Sequence, residues 1–196
     1  QVIAPDILCM QETKVADAAL PEMGFRALGY EVAHHGLGQW NGVAILSRVG
    51  IDDPGFGFAE GIEPDVDARL IAATCGGVRV HSVYVPNGRE VGHDHYHYKL
   101  SWLARLRHHL AATCSPDAEV VVAGDWNIIP TDSDVWDPSR FIGSTHVTPE
   151  ERAALDEVKG WGLIDTFRRR YGDDAKGLFS YYDYTAGHFH KREGMR

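Results

Sequence analysis

The chain has 196 residues, 44% apolar and 24% charged, with a formal net charge of −9 at neutral pH. That length suits a single domain able to bury about 70% of its unfolded surface. No apolar run approaches the roughly 20 residues needed to span a bilayer, so no membrane partner is expected. An acidic balance argues against a uniformly basic nucleic-acid-binding face. It leaves open a site where carboxylates gather round a cation that reverses their local effect. Cys9, Cys75 and Cys114 lie far apart with no CxxC spacing, a pattern of buried thiols in a reducing, cytoplasmic setting rather than of disulfides or zinc.

In chain order, "ILCMQE" (7–12) reads as a short buried strand ending on polar Gln11 and Glu12. "YEVAHH" (30–35) and "GVAILSR" (42–48) read as a hairpin with a long glycine-containing loop. Residues 52–67, carrying Pro54, Gly55, Gly57, Gly61 and Pro64, read as a surface loop, and the glycines there do not make a dinucleotide fingerprint. "RLIAATC" (69–75) and "VRVHSVYVPN" (78–87) form a second hairpin turning at Gly76-Gly77. The strongest helix covers 93–114, with Tyr96, Leu100, Leu103, Leu106 and Leu110 on one stripe. "EVVVAG" (119–124) reads as a fully buried strand. "TPEER" (148–152) starts a helix with Thr148 as N-cap, Pro149 first and Glu151 third, running to about Gly160. "LFSYYDY" (178–184) closes the series as a strand. Hairpins interleaved with a few helices predict an α/β arrangement of sheets between helices, not a parallel-only Rossmann fold.

Three strand tips end on polar groups: Glu12; Tyr84 with Asn87; and Asp125 with Asn127. Singly, each has a plain structural reading: a solvated glutamate, a core tyrosine, an Asx-turn. Together they would make a site of carboxylates, carboxamides and a phenol, with no GxSxG and no Walker loop. Hard oxygen donors suit Mg²⁺ held by one or two carboxylates. Phosphate-ester cleavage needs a Lewis acid, a base for water and neutral donors.

The segments "QETK" (11–14), "QWNGVAILSR" (39–48), "YVPNG" (84–88), "GDWNIIPTDSDVW" (124–136) and "FSYYDYTAGHFHKREGMR" (179–196) resemble the exonuclease III family. That family is the bacterial DNA-repair branch of the endonuclease/exonuclease/phosphatase superfamily, to which the major apurinic endonuclease of animals also belongs. The resemblance runs in order along essentially the whole chain. It implies a DNase I-like, four-layer sandwich of two mixed β-sheets packed between helices. It also implies a monomeric nuclease using Mg²⁺, with Mn²⁺ as a substitute, on double-stranded DNA with abasic sites or 3′ ends. Glu12 falls on the metal-binding glutamate and Tyr84 on the active-site tyrosine. Asp125 and Asn127 fall on the pair that positions the nucleophile and the scissile phosphate, counted as both catalytic and metal-side. Asn87 and Arg89 match DNA contacts near the lesion, and Tyr181 and Met195 match walls of a pocket for an extruded abasic sugar. Asn41, Tyr182 and Lys191 are further candidates for DNA contact or site support.

The family pattern also has an asparagine on a strand before "ILCMQE", and an aspartate, a strand and a Ser-Asp-His after "GMR". None of these occurs in residues 1–196, so both ends are expected to be cut and this stretch alone to be inert. Two rivals stand beside the nuclease: a phosphatase or lipid phosphodiesterase of the same superfamily, and a non-catalytic DNA-binding remnant. "FRRRYG" (167–172) reads as a solvated stretch, with phosphate contact by Arg168, Arg169 and Arg170 as its alternative.

Overall fold

A computed structural model describes residues 3–183 and 187–196. The chain forms two compact units, Gln1–Val85 with His108–Trp126, and Pro86–Arg107 with Asn127–Arg196.

In the first unit, β1 (Ile7–Gln11), β3 (Val43–Ser47) and β2 (Glu31–His35) form an antiparallel sheet in the order β1-β3-β2. A mixed sheet has the order β4-β5-β6-β7, from β4 (Asp52–Phe56), β5 (Leu70–Cys75), β6 (Val78–Tyr84) and β7 (Val120–Asp125). Strand periodicity explains how the two stack. Along β3, Val43 and Ile45 point into a core shared with Ile71, Ala73 and Val80 of the second sheet. Ala44 and Leu46 face the other way, onto Tyr30 and the Phe25 side chain of α1 (Glu22–Ala27). These four β3 residues are at most 1% exposed; burying Val43, Ile45 and Leu46 is worth about 1.5–3 kcal/mol each. On β6, Val80 faces the first sheet, whereas the next residue, His81, meets His109 near the end of α2 (Asp94–Thr113), with ring centroids 5.4 Å apart. The order through this unit is therefore α1, antiparallel sheet, mixed sheet, and the end of α2.

Gly76 and Gly77 turn the β5–β6 hairpin at φ +57° and +88°, as a two-residue primed turn requires. β6 and β7 run parallel, the one pairing in this sheet that is not a hairpin. Two expectations need correction. Residues 52–56 are a strand, not a loop: Pro54 is accommodated because β4 lies at a sheet edge with an irregular register between Asp52 and Gly55. β7 is not fully buried, since it ends the sheet on the other side among the described residues and leaves Val121 45% exposed.

The second unit holds α3 (Pro149–Lys159), α4 (Thr166–Tyr171), α5 (His188–Lys191) and the ribbon β8 (Tyr181–Tyr182) with β9 (Gly194–Met195). α3 begins as expected, with a capping box between Thr148 and Glu151 and with Pro149 at its start. The strand expected over 178–184 shrinks to Tyr181–Tyr182, and residue 184 lies outside the described residues. Arg168 of α4 is not solvated: its guanidinium binds Asp134 and the carbonyls of Asp173 and Ala175. Arg196 binds the same Asp134 at 2.8 Å and Asp165 at 3.1 Å. Asp134 itself is 2% exposed. Burial alone would raise its pKa, but the two arginines and Thr131 outweigh that and hold the carboxyl below the usual range.

Candidate active site

β1 delivers Glu12. The strand is pinned to β6 by Gln11, whose Nε2 donates to Ser82 Oγ at 3.0 Å, and by Ser82 Oγ donating to the Met10 carbonyl at 3.3 Å. Immediately after it the chain hooks. Glu12 takes φ 52°, and the Thr13 and Lys14 amides bond back to the Gly42 and Asn41 carbonyls. A left-handed glutamate costs on the order of 1–3 kcal/mol and persists only where its surroundings impose it. The result aims Glu12 at β6, where Tyr84 Oη donates to Glu12 Oε1 at 3.1 Å. Lys14 Nζ lies 2.7 Å from Glu12 Oε2.

Tyr84 in turn stands opposite Asp125 in the parallel β6–β7 register, and the Val85 amide donates to the Asp125 carbonyl at 2.9 Å. The approach depends on Gly124, at φ +147°, where a Cβ would lie 2.0 Å from the Val83 carbonyl oxygen. The Arg69 guanidinium lies 4.7 Å over the Tyr84 ring and is paired to Asp67 at 2.9 Å; Asp67 also accepts from Asn41 Nδ2 at 3.3 Å. Glu12, Tyr84 and Asp125 therefore come together in the first unit, with Asn41 attached through Asp67 and Arg69. Neither Asp67 nor Arg69 announces itself in the sequence "DVDARL".

The electrostatics separate the roles of these groups. Lys14's hydrogen bond is the largest influence on Glu12 and, with Tyr84's, it holds the carboxyl below its ordinary value despite burial. Burial, then the Glu12 charge, pushes the Tyr84 phenol up to about 12. At neutral pH the phenol is thus a fixed proton donor beside an ionised carboxylate. Two carboxylates and no sulfur or imidazole make a hard donor set, suited to an oxygen-seeking divalent cation.

A second cluster lies within the second unit. Asn87 Nδ2 is 3.3 Å from Asn127 Oδ1, and His146 Nε2 is 3.2 Å from the same oxygen and 3.3 Å from Asn87 Nδ2. Asn127, Arg89 and His146 all adopt positive φ, at 49°, 57° and 84°. The Arg89 amide donates to Asn87 Oδ1 at 3.1 Å. Burial, then the Lys99 charge, lowers the His146 pKa to about 4, so its ring is neutral at physiological pH. No sequence motif pointed to His146. Tyr181 and Met195 face each other across β8–β9, with Tyr181 51% exposed. They do not line the nearby cavity of about 280 Å³, whose walls include Phe167, Phe179, Tyr182 and Arg196. Lys191 is exposed at the end of α5.

Residues 1–192 match the model of the Endonuclease/Exonuclease/phosphatase family. The chain belongs to that family. Among its relatives, Exodeoxyribonuclease III of Haemophilus influenzae is 32% identical over 98% of this chain and 75% of its own length. An AP endonuclease from Archaeoglobus fulgidus is 36% identical with a TM-score of 0.90, covering 98% of this chain and 74% of its own. The 3′ phosphatase NExo from Neisseria, solved bound to product DNA hairpin, is 31% identical with a TM-score of 0.89 over 98% and 74%. The fold is accordingly the DNase I-like α/β fold of these phosphodiester hydrolases. The family's nucleases depend on a metal ion.

Proposed function

We propose that the protein is a Mg²⁺-dependent DNA-repair nuclease that hydrolyses the phosphodiester 5′ to abasic sites and trims 3′ ends of duplex DNA. The observation that carries this reading is the meeting of Glu12 with Tyr84 at 3.1 Å, and of Tyr84 with Asp125 in the strand register. Glu12 and Asp125 are the residues that would hold the cation, in the one-or-two-carboxylate manner typical of Mg²⁺. Mn²⁺ fits the same donor set. When bound, the metal supplies a Lewis acid that stabilises charge developing on the phosphoryl oxygens.

The protein's own groups carry the remaining steps. Asp125 takes the proton of the attacking water as general base while the P–O3′ bond breaks, and the departing 3′ oxygen takes its proton from solvent. Tyr84, protonated because its pKa lies near 12, donates a hydrogen bond that orients Glu12. The Arg69 cation against its ring fixes the phenol's plane. The amide of Asn127 donates to the scissile phosphate, a neutral-donor role worth roughly 3–4 kcal/mol in the transition state, and Asn87 and Arg89 hold the DNA backbone. Tyr181 and Met195 receive the abasic sugar, whose extrusion costs little because no base is left to unstack. The product DNA hairpin bound by the Neisseria relative supports DNA as the substrate class.

The test uses the full-length protein and Mg²⁺, with an abasic duplex, a 3′-phosphate-ended duplex and phosphoinositide vesicles as substrates. DNA cleavage is expected, and Asp125→Asn should abolish it while abasic-DNA affinity stays within about threefold, because Asn87, Arg89, Tyr181 and Met195, not Asp125, are the groups assigned to holding the DNA. Near-wild-type turnover in that variant removes the role given to Asp125. Hydrolysis of the lipid alone would instead make the protein a phosphatase or lipid phosphodiesterase.

A further inference from the structure

Lys99 lies in the second turn of α2, is 0% exposed, and is matched by an equally buried Glu151. Burying both charges carries a desolvation penalty that good geometry must offset. The geometry is close: Lys99 Nζ lies 2.5 Å from Glu151 Oε1. The ammonium also donates to the carbonyl of Asn127 at 2.5 Å and to that of Asn87 at 3.3 Å. Glu151 accepts from Thr145 Oγ1 at 2.6 Å on one oxygen, and from the amide and hydroxyl of Thr148 at 3.1 and 2.8 Å on the other. Thr145 closes the loop: its one hydroxyl proton goes to Glu151, and its Oγ1 lies 3.3 Å from the Asn87 carbonyl oxygen. One ion pair thus reaches the backbone of both asparagines and, through Thr145, the residue next to His146.

Gly88 records the same packing. It sits at φ +90°, and a Cβ there would lie 2.6 Å from Thr145 Oγ1 and 3.2 Å from Lys99 Cδ. A side chain after Asn87 would collide with the lysine and with the threonine that completes its network.

We infer that Lys99 and Glu151 are positioning residues for the reaction, fixing the backbones of Asn87 and Asn127 so that their side-chain amides face the substrate in register. The inference rests on the nuclease reading for its consequence in rate, but the positioning itself is a statement about hydrogen bonds. A purely stabilising ion pair could be exchanged for a neutral pair without touching turnover. A positioning pair could not, because a displacement of about 1 Å at a reacting group can cost on the order of 100-fold.

The test is the Lys99→Met/Glu151→Gln double variant of the full-length protein, in which glutamine preserves the capping box of α3. With cleavage normalised to folded protein, kcat should fall about 100-fold while KM changes less than about tenfold. Both constants staying within about threefold of wild type would overturn the inference. A second measurement needs no variant: in the wild-type protein the Lys99 ammonium should show NMR couplings across its hydrogen bonds to the Asn87 and Asn127 carbonyl carbons. Their absence overturns the inference even if the double variant does not fold. If the wild type cleaves no DNA substrate, the nuclease reading fails, and the couplings alone decide whether the lysine holds the two asparagines.

Discussion

Acidification from pH 8 to pH 5 should destabilise this protein by about 4 kcal/mol through two histidines remote from the catalytic groups. His81 and His109 are 0% and 5% exposed, and their rings meet edge-on. Burial, then the neighbouring His109 and Arg79 charges, pushes the His81 pKa down to about 3; burial, then Arg79, lowers His109 to about 4. Among the described residues His81 Nδ1 and His109 Nε2 have no hydrogen-bond partner, and a second proton on His109 would have to displace the Ala59 amide, which donates to its Nδ1 at 3.0 Å. In the unfolded chain both titrate near 6.5, so between that value and their folded pKa values the unfolded state binds more protons. The stabilisation is complete above about pH 6.5 and is lost as pH falls towards the folded values. At pH 5 each histidine has given up RT ln 10 over roughly 1.5 pH units, about 2 kcal/mol, hence about 4 kcal/mol for the pair. His34, His35 and His146, also lowered mainly by burial, act in the same direction. Urea titrations read the loss directly: with a slope near 2 kcal/mol per molar, the midpoint should move down by about 2 M. A shift below about 0.5 M would refute the reasoning. His81→Leu, which removes one proton site, should recover roughly half of the difference.

Tyr84→Phe removes the hydroxyl bonded to Glu12 and nothing else. Single-turnover cleavage should slow about 100-fold, as for a displacement of about 1 Å in the carboxylate that the hydroxyl orients, with the melting temperature nearly unchanged. Gly124→Ala places a methyl 2.0 Å from the Val83 carbonyl at φ +147°. It should cost about 3 kcal/mol by strain and overpacking, readable in urea, and should weaken cleavage because Asp125 is the next residue.

Features written locally in the chain were legible. Two consecutive glycines identified the β5–β6 turn, and Thr148 with Glu151 identified the start of α3 three residues ahead. The helical stripe of 93–114 holds in Tyr96, Leu103, Leu106 and Leu110, all at most 5% exposed. What periodicity misread were positions whose environment is set by distant partners. Pro54 signals a loop unless the strand is at an edge, and edges are a property of the sheet, not of the segment. Arg168 looked solvated beside Arg169 and Arg170 because Asp134, its partner, lies 34 positions earlier.

The candidate site divides along the same line. Its carboxylates and amides were named from motifs, but how they are held was not readable, since the Tyr84–Glu12 bond spans 72 positions. Lys99 shows the limit most clearly. It occupies the inner stripe between Tyr96 and Leu103, where any pattern rule reads a lysine as an interruption. Its burial becomes favourable only when Glu151, 52 residues later, arrives with two threonine hydroxyls already committed to it. Had the capping glutamate been read as a buried charge, it would have demanded a buried cation in the sequence, and Lys99 is the one that the apolar stripe of α2 carries inward.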